Sequence, residues 1–144
     1  MTTLNEASTA AYQRFQVDWP TAQPDVPFTF EDEDFTPPVT AAGRPAPWVK
    51  LSVQNLGGRQ ETLGAAGNRK FTRSALVRVQ VYTAPGTGRK VSDLLCQSAL
   101  DIFEGRALAG ALVYDGAARE IGLVENNRWK LSTVEVSFDY EQVK

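Results

Sequence analysis

The sequence predicts an α+β domain, a mixed and mainly antiparallel β-sheet with helices packed on one of its faces. Three observations carry this expectation. Apolar residues recur at helical spacing in two separate stretches, near the start and around residue 95. Between and after those stretches they alternate with polar residues at strand spacing. Finally, 144 residues of which 42% are hydrophobic and 22% charged suit one core and would crowd two, so residues 1–144 are read as a single domain.

The first helix is expected from Leu4 to Phe15. Thr3 and Glu6 have the spacing of a capping box, and Leu4, Ala7, Ala11 and Phe15 share one face. Pro20, Pro24 and Pro27 then hold the chain extended, and Phe28 and Phe30 flank Thr29 in a short strand. Glu31, Asp32, Glu33 and Asp34 follow as a run of four carboxylates. A clearer strand holds Val49, Leu51 and Val53 on one side with Lys50, Ser52 and Gln54 on the other, and Gly57-Gly58 is expected to end it.

From about residue 57 to 72 no period survives, while Arg59, Gly64, Gly67, Arg69 and Lys70 accumulate; this stretch reads as a mobile basic arm or an extended hairpin tip. Ala75, Val77, Val79 and Val81 then form the strongest strand alternation in the chain. Pro85-Gly86-Thr87-Gly88 turns into a helix over Val91 to Phe103 that Gly105 is placed to stop. Strands return around Leu112 to Tyr114, Ala118 to Val124 and Trp129 to Tyr140, with Asn126-Asn127 making the last turn. Trp129 and Leu131 lie on the opposite parity from Val134, Val136, Phe138 and Tyr140, so a bulge near Ser132 or Thr133 is expected if both groups face the core. The core is expected to comprise Val77, Val79, Val81, Leu94, Leu95, Ile102, Phe103, Val134, Val136 and Phe138.

Several function classes lack their residues. No apolar run is long enough to span a bilayer, and Met1 to Ala11 has no signal-peptide pattern, so the chain is expected to stay where it is made. The single cysteine, Cys96, has no partner for an internal disulfide and no histidine to pair with for zinc or thiolate chemistry. The expected role of Cys96 is a small buried side chain in a helix. No serine sits in a nucleophile elbow, and Gly88-Arg89-Lys90-Val91 lacks the hydroxyl of a phosphate-binding loop. The acidic run lacks the glycine and closing glutamate of a calcium loop, which leaves a solvated turn or a docking surface for basic residues as its readings. No catalytic, cofactor-binding or metal-binding set is assigned.

Charge is segregated along the chain. Residues 1–43 hold seven acidic residues against one arginine, residues 44–90 hold nine basic residues against Glu61, and residues 91–144 hold nine acidic against five basic. Folded to different places, these segments favour oriented association. The basic cluster comes without a nucleic-acid-binding motif, so its contacts are expected to be with acidic protein surface rather than with a specific nucleic-acid sequence. Candidate subunit or partner contacts are therefore Arg59, Arg69, Lys70 and Arg73 on the arm and Glu31, Asp32, Glu33 and Asp34 in the acidic turn.

A wider pattern runs through the chain. Glu61-Thr62-Leu63-Gly64 precedes the basic arm, and the following strand ends in Val81-Tyr82-Thr83-Ala84-Pro85-Gly86-Thr87-Gly88. The second helix runs into Phe103-Glu104-Gly105-Arg106, and Glu120-Ile121-Gly122 leads to Asn127-Arg128-Trp129-Lys130 and Val136-Ser137-Phe138-Asp139-Tyr140. In order and spacing this resembles the tail-terminator-like proteins of long-tailed bacteriophages, a minor tail protein family that includes a phage-related domain formerly of unknown function. The chain departs from that family in its proline-rich, acidic section from Pro20 to Pro47.

The resemblance implies a structural, non-enzymatic protein of the virion tail, assembled in the bacterial host cytoplasm. It implies a homo-oligomeric ring, commonly a hexamer, on the head-proximal end of the tail tube. Such a ring stops polymerisation of the tail tube protein and presents the docking surface for a head-tail connector or stopper protein. No membrane partner is implied. The alternatives are another head-tail connector or tail tube protein, and less favoured, a nucleic-acid-binding module.

Overall fold

The computed structural model describes residues 3–108 and 111–144, with residues 111–114 described by their backbone alone. Its elements run α1 (Leu4–Ala22), β1 (Phe28–Phe30), β2 (Trp48–Gln60), β3 (Lys70–Thr83), α2 (Lys90–Phe103), β4 (Ala107–Leu108), β5 (Ala111–Val124) and β6 (Trp129–Val143). Among the described residues the strands form one sheet in the order β1-β2-β3-β6-β5-β4. β1 runs parallel to β2 and every other pair is antiparallel. Both helices pack on the same face, giving the expected α+β architecture.

Helix α1 begins as its sequence dictates, with Thr3 and Glu6 closing a reciprocal capping box. It runs seven residues past Phe15, and Pro20 lies inside it rather than in an extended segment. The extension follows from burial. Ala7, Ala11, Phe15 and Trp19 continue one apolar stripe into the core, whereas Leu4, which the sequence places on that stripe, is exposed. One backbone bond forfeited at Pro20 is offset by burying Trp19, whose indole N–H donates to the Val26 carbonyl at 2.9 Å.

Helix α2 buries Ser92, Leu95, Cys96, Ala99, Ile102 and Phe103. Leu94, expected in the core, is 59% exposed. The buried stripe is turned to take in Ser92 and Cys96, and α2 packs over β3, β6 and β5; on β5, Gly116 lets Leu100 approach closely, since a Cβ there would meet Leu100 Cδ2 at 2.5 Å. The remaining expected core residues are buried, against Val49, Leu51, Ala75 and Tyr140.

Two strand expectations are corrected. Gly57-Gly58 do not end β2, which continues to Gln60 and pairs with β3 as far as Phe71. Instead Leu56 is the extra residue of a bulge between Asn55 and Gly57, and Gly57 takes the positive φ of 143° that such a site asks of a glycine. Strand β6 has no bulge near Ser132 or Thr133, since its register with β3 is continuous from Lys130 to Val143. Trp129 and Leu131 face the other side of the sheet. There they form a second apolar cluster with Trp48 and Tyr82, packed by Phe35 and Val124. The Trp48 and Tyr82 rings stack at 4.1 Å and Trp129 meets them edge-on. The proline-rich section thus wraps from the helix-covered face at β1 to the opposite face at Phe35. Beyond this cluster the second face is polar, with Glu135 taking both Arg78 at 3.3 Å and Arg119 at 3.2 Å.

Candidate functional site

The distal halves of β2 and β3 form a hairpin arm, flanked by the last residues of β6. Pairing reaches Gln60 with Phe71 and Lys70 with Val143, and Arg69 and Lys144 exchange two backbone hydrogen bonds beyond it. The expected arm at residues 57–72 is therefore built largely of strand, with residues 61–69 as its tip.

Glycines at 64 and 67 with positive φ reverse the chain there. The tip is cross-braced. Lys70 N–H donates to Thr62 Oγ1 at 2.9 Å, Gln60 Nε2 to the Thr62 carbonyl at 2.7 Å, and Arg69 Nε to the Gly64 carbonyl at 2.9 Å. Leu63 is left pointing into solvent, 97% exposed.

All four candidate arm cations lie on this one hairpin, and each has a partner within the chain. Arg59 pairs with Glu61 at 2.6 Å, and its hydrogen bond holds the Glu61 carboxyl below the usual carboxylate range. Lys70 pairs with Glu141 at 2.7 Å, which raises the ammonium above its ordinary value. Arg73 donates to Gln142 Oε1 at 2.9 Å and lies over the Phe71 ring. These pairs are solvent-exposed, so they shape the arm more than they stabilise it.

The acidic run divides into two kinds of residue. Glu31 is half-buried at the end of β1, where its carboxylate accepts from the Tyr12 hydroxyl and from Val53 N–H at 3.1 Å. Burial first, and then the Glu31 hydrogen bond, push the Tyr12 phenol well above its ordinary value. Asp32, Glu33 and Asp34 are exposed, and Asp32 takes a positive φ in the turn. The acidic turn thus flanks the middle of β2 and does not pair with the arm of its own chain among the described residues. Its register beside Val53 places it about seven strand residues, roughly 23 Å, from Gln60.

The sheet presents two edges. Beyond Val53 the outer side of β2, residues 54–60, has no strand beside it among the described residues, and neither has β5 beyond Leu112. Ile121 and Leu123 are exposed on β5, with Ile121 at a bulge between Glu120 and Gly122.

Two further surface features had no clear sign in the sequence. One is Leu63, visible only as a lone large apolar residue in a glycine- and alanine-rich stretch. The other is a groove between α1 and α2, lined by residues from both helices and therefore invisible to local pattern.

Among the described residues no group of three or more metal-ligating side chains comes together. Cys96 is 5% exposed and burial, with Asp93 second, pushes its thiol up to about 11, so it is protonated at neutral pH. Ser92 and Ser98 donate to carbonyls of their own helix, and Ser74 donates to Asp139 on the neighbouring strand. Among the described residues no helix is long and apolar enough to cross a membrane.

Comparison with known proteins places the fold. No protein-family model matches the sequence, and no curated protein matches it. Solved structures do. One chain, whose name states no function, superposes with a TM-score of 0.64 at 16% identity over 99% of both chains. Another, from the virion of a native gene transfer agent particle, superposes with a TM-score of 0.50 at 14% identity over 94% of both chains. At these identities the likeness is one of fold, and it spans nearly the whole domain.

Proposed function

We propose that this chain is a structural, non-catalytic subunit of a phage-type tail, of the tail-terminator-like family, that closes head to tail into a ring at the head-proximal end of the tail tube. There it ends polymerisation of the tube protein and offers the surface on which a head-tail connector or stopper docks. The observation that carries the reading is the pair of open sheet edges, β2 beyond Val53 and β5, which differ in sequence and lie on opposite sides of one sheet. Unlike edges favour a heterologous contact, and such contacts close into rings when the rotation between subunits allows. The arm and the acidic turn add unlike charges to the same kind of contact.

The setting is supported by the full-length likeness to a chain of a gene transfer agent virion, and the copy number of six by the family resemblance of the sequence. Adding the purified protein to polymerising tube protein tests the function. Tubes are expected to stop growing and to shorten in mean length as the protein is added. Unchanged lengths with protein bound along the tube wall would favour the tube-protein alternative instead.

A further inference from the structure

The two faces of the arm differ in how their charges are balanced. On the face turned away from the helices, Arg59 and Lys70 meet the carboxylates of Glu61 and Glu141, and Ser74 donates to Asp139. The cations of that face are spent within the chain.

The face continuous with the helix-covered core is built differently. Strand alternation across β3 and β6 brings Arg69, Phe71 and Arg73 beside Tyr140, Gln142 and Lys144. Arg73 lies flat along this face. Its Nε donates to Gln142 Oε1 at 2.9 Å, its guanidinium sits 5.9 Å from the centre of the Phe71 ring, and a Cβ at Gly58 would meet its Cγ at 2.9 Å. Lys144 sets its ammonium 5.2 Å from the same ring, and Arg69 gives only its Nε to the Gly64 carbonyl. Among the described residues neither arginine lies within ion-pair distance of a carboxylate. Tyr140, directly across from Arg73, is 2% exposed, and its hydroxyl has no acceptor among the described residues. The unspent groups of the strip are thus donors, guanidinium and phenol, which is the chemistry of a carboxylate-binding surface.

We infer that this strip takes the acidic turn of a second copy, with Arg69 and Arg73 facing Glu33 and Asp34. The chain supplies both halves of the match. Asp32, Glu33 and Asp34 are exposed and lie in no ion pair among the described residues, at a turn set beside the open edge of β2. Roughly 23 Å of strand separates that turn from the end of its own arm, so each patch needs another molecule to meet the other. The opposite face of the arm is a poorer partner, because its cations are already paired and Asp139 and Glu141 lie among them. Each copy carries one strip and one acidic turn at separate places, so the contact can repeat from copy to copy. It deepens the ring reading and rests on it for its setting, but it is tested on the purified chain without any tail tube.

The test is self-association of full-length variants at low ionic strength, followed by sedimentation. Arg69→Gln/Arg73→Gln is expected to weaken association about tenfold, whereas Arg59→Gln/Lys70→Gln, which removes the same charge from the opposite face, is expected to change it by less than about twofold. Arg69→Glu/Arg73→Glu and Glu33→Lys/Asp34→Lys are each expected to stay monomeric alone and to associate when mixed, since each then supplies the charge that the other lacks. Circular dichroism of the separate chains checks that both are folded. Equal weakening from the two faces, no recovery on mixing, or a wild-type chain that stays monomeric would each overturn the inference. So would a duplex DNA oligonucleotide that binds the wild type but not Arg69→Gln/Arg73→Gln, if Glu33→Lys/Asp34→Lys associates normally; the strip would then belong to a phosphate backbone. Normal tube capping beside any of those results would leave the proposed function standing, and charge-dependent association without capping would reject that function while keeping the contact.

Discussion

Glu31 does at one edge of the sheet what a neighbouring strand would otherwise do: its carboxylate accepts the Val53 N–H where β1 has run out. Within a run of four acidic residues, the sequence offers no sign that the first differs from the rest, because the difference comes from Tyr12 on a distant helix. Glu31→Ala leaves a part-buried hydroxyl and a backbone N–H without acceptors and is expected to cost about 1–3 kcal/mol in denaturant unfolding. Glu33→Ala, in solvent, is expected to stay within about 0.5 kcal/mol. A second contrast lies in α2. Leu95→Ala opens a cavity in the core and is expected to cost about 2–5 kcal/mol, whereas Leu94→Ala should be close to neutral. Both leucines fit a helical stripe; which one is buried depends on how the helix is turned on the sheet.

Cys96 and Tyr12 also make stability depend on alkaline pH. Both groups have pKa values raised in the folded state, so the native chain keeps protons that the unfolded chain has released. Stability is therefore unaffected at neutral pH and falls as pH rises from the ordinary thiol range toward 11, by about 3 kcal/mol at most for Cys96. Ionisation of Tyr12 continues the fall at higher pH. Cys96→Ala is expected to flatten the first part of this decline in urea titrations between pH 8 and 11; an unchanged slope would remove Cys96 as its source.

At the scale of elements, most of the fold was legible because local chemistry and tertiary packing agree. The Thr3–Glu6 box, the valine alternation of β3 and the left-handed turn at Asn126-Asn127 all reappear in the structure. The failures occur where packing overrides a local signal. Trp19 draws α1 past Phe15 and through Pro20, and strand pairing with β3 draws β2 through two glycines. Trp129 and Leu131 break parity with the core because they belong to a second cluster, which a search for one core could not anticipate.

The arm was legible as a basic, glycine-containing segment, and its hairpin form was one of two readings left open. Its amides test its role in association. Residues 62–67 are exposed and, unlike Glu61, Asn68 and Arg69, whose amides donate to backbone carbonyls, are expected to exchange hydrogen rapidly in the free chain and to gain protection on assembly. Equal exchange in free and assembled protein would contradict a role for the tip in contacts between copies.

Across the whole molecule, the charge segregated along the sequence is partly cancelled in space, because β6 lies beside β3 and sets Glu141 against Lys70 and Glu135 against Arg78, and partly kept apart. The basic arm projects from one end of the sheet, while Asp32, Glu33 and Asp34 lie exposed beside the middle of β2. Contacts between such patches are screened by salt, so self-association measured by light scattering is expected to weaken as ionic strength rises from about 0.05 to 0.5 M. A mass that does not respond to salt would place the binding energy in the sheet edges instead. None of this spatial arrangement could be read from the sequence, since it depends on which strand ends lie side by side.

The proposed function requires a closed ring at one end of a tail tube. Electron microscopy of tail tubes mixed with the purified protein tests it most directly. A single ring of additional density, with six-fold symmetry, is expected on the head-proximal end and none along the wall. Density distributed along the tube, an open polymer, or tubes with no added density at either end would contradict it.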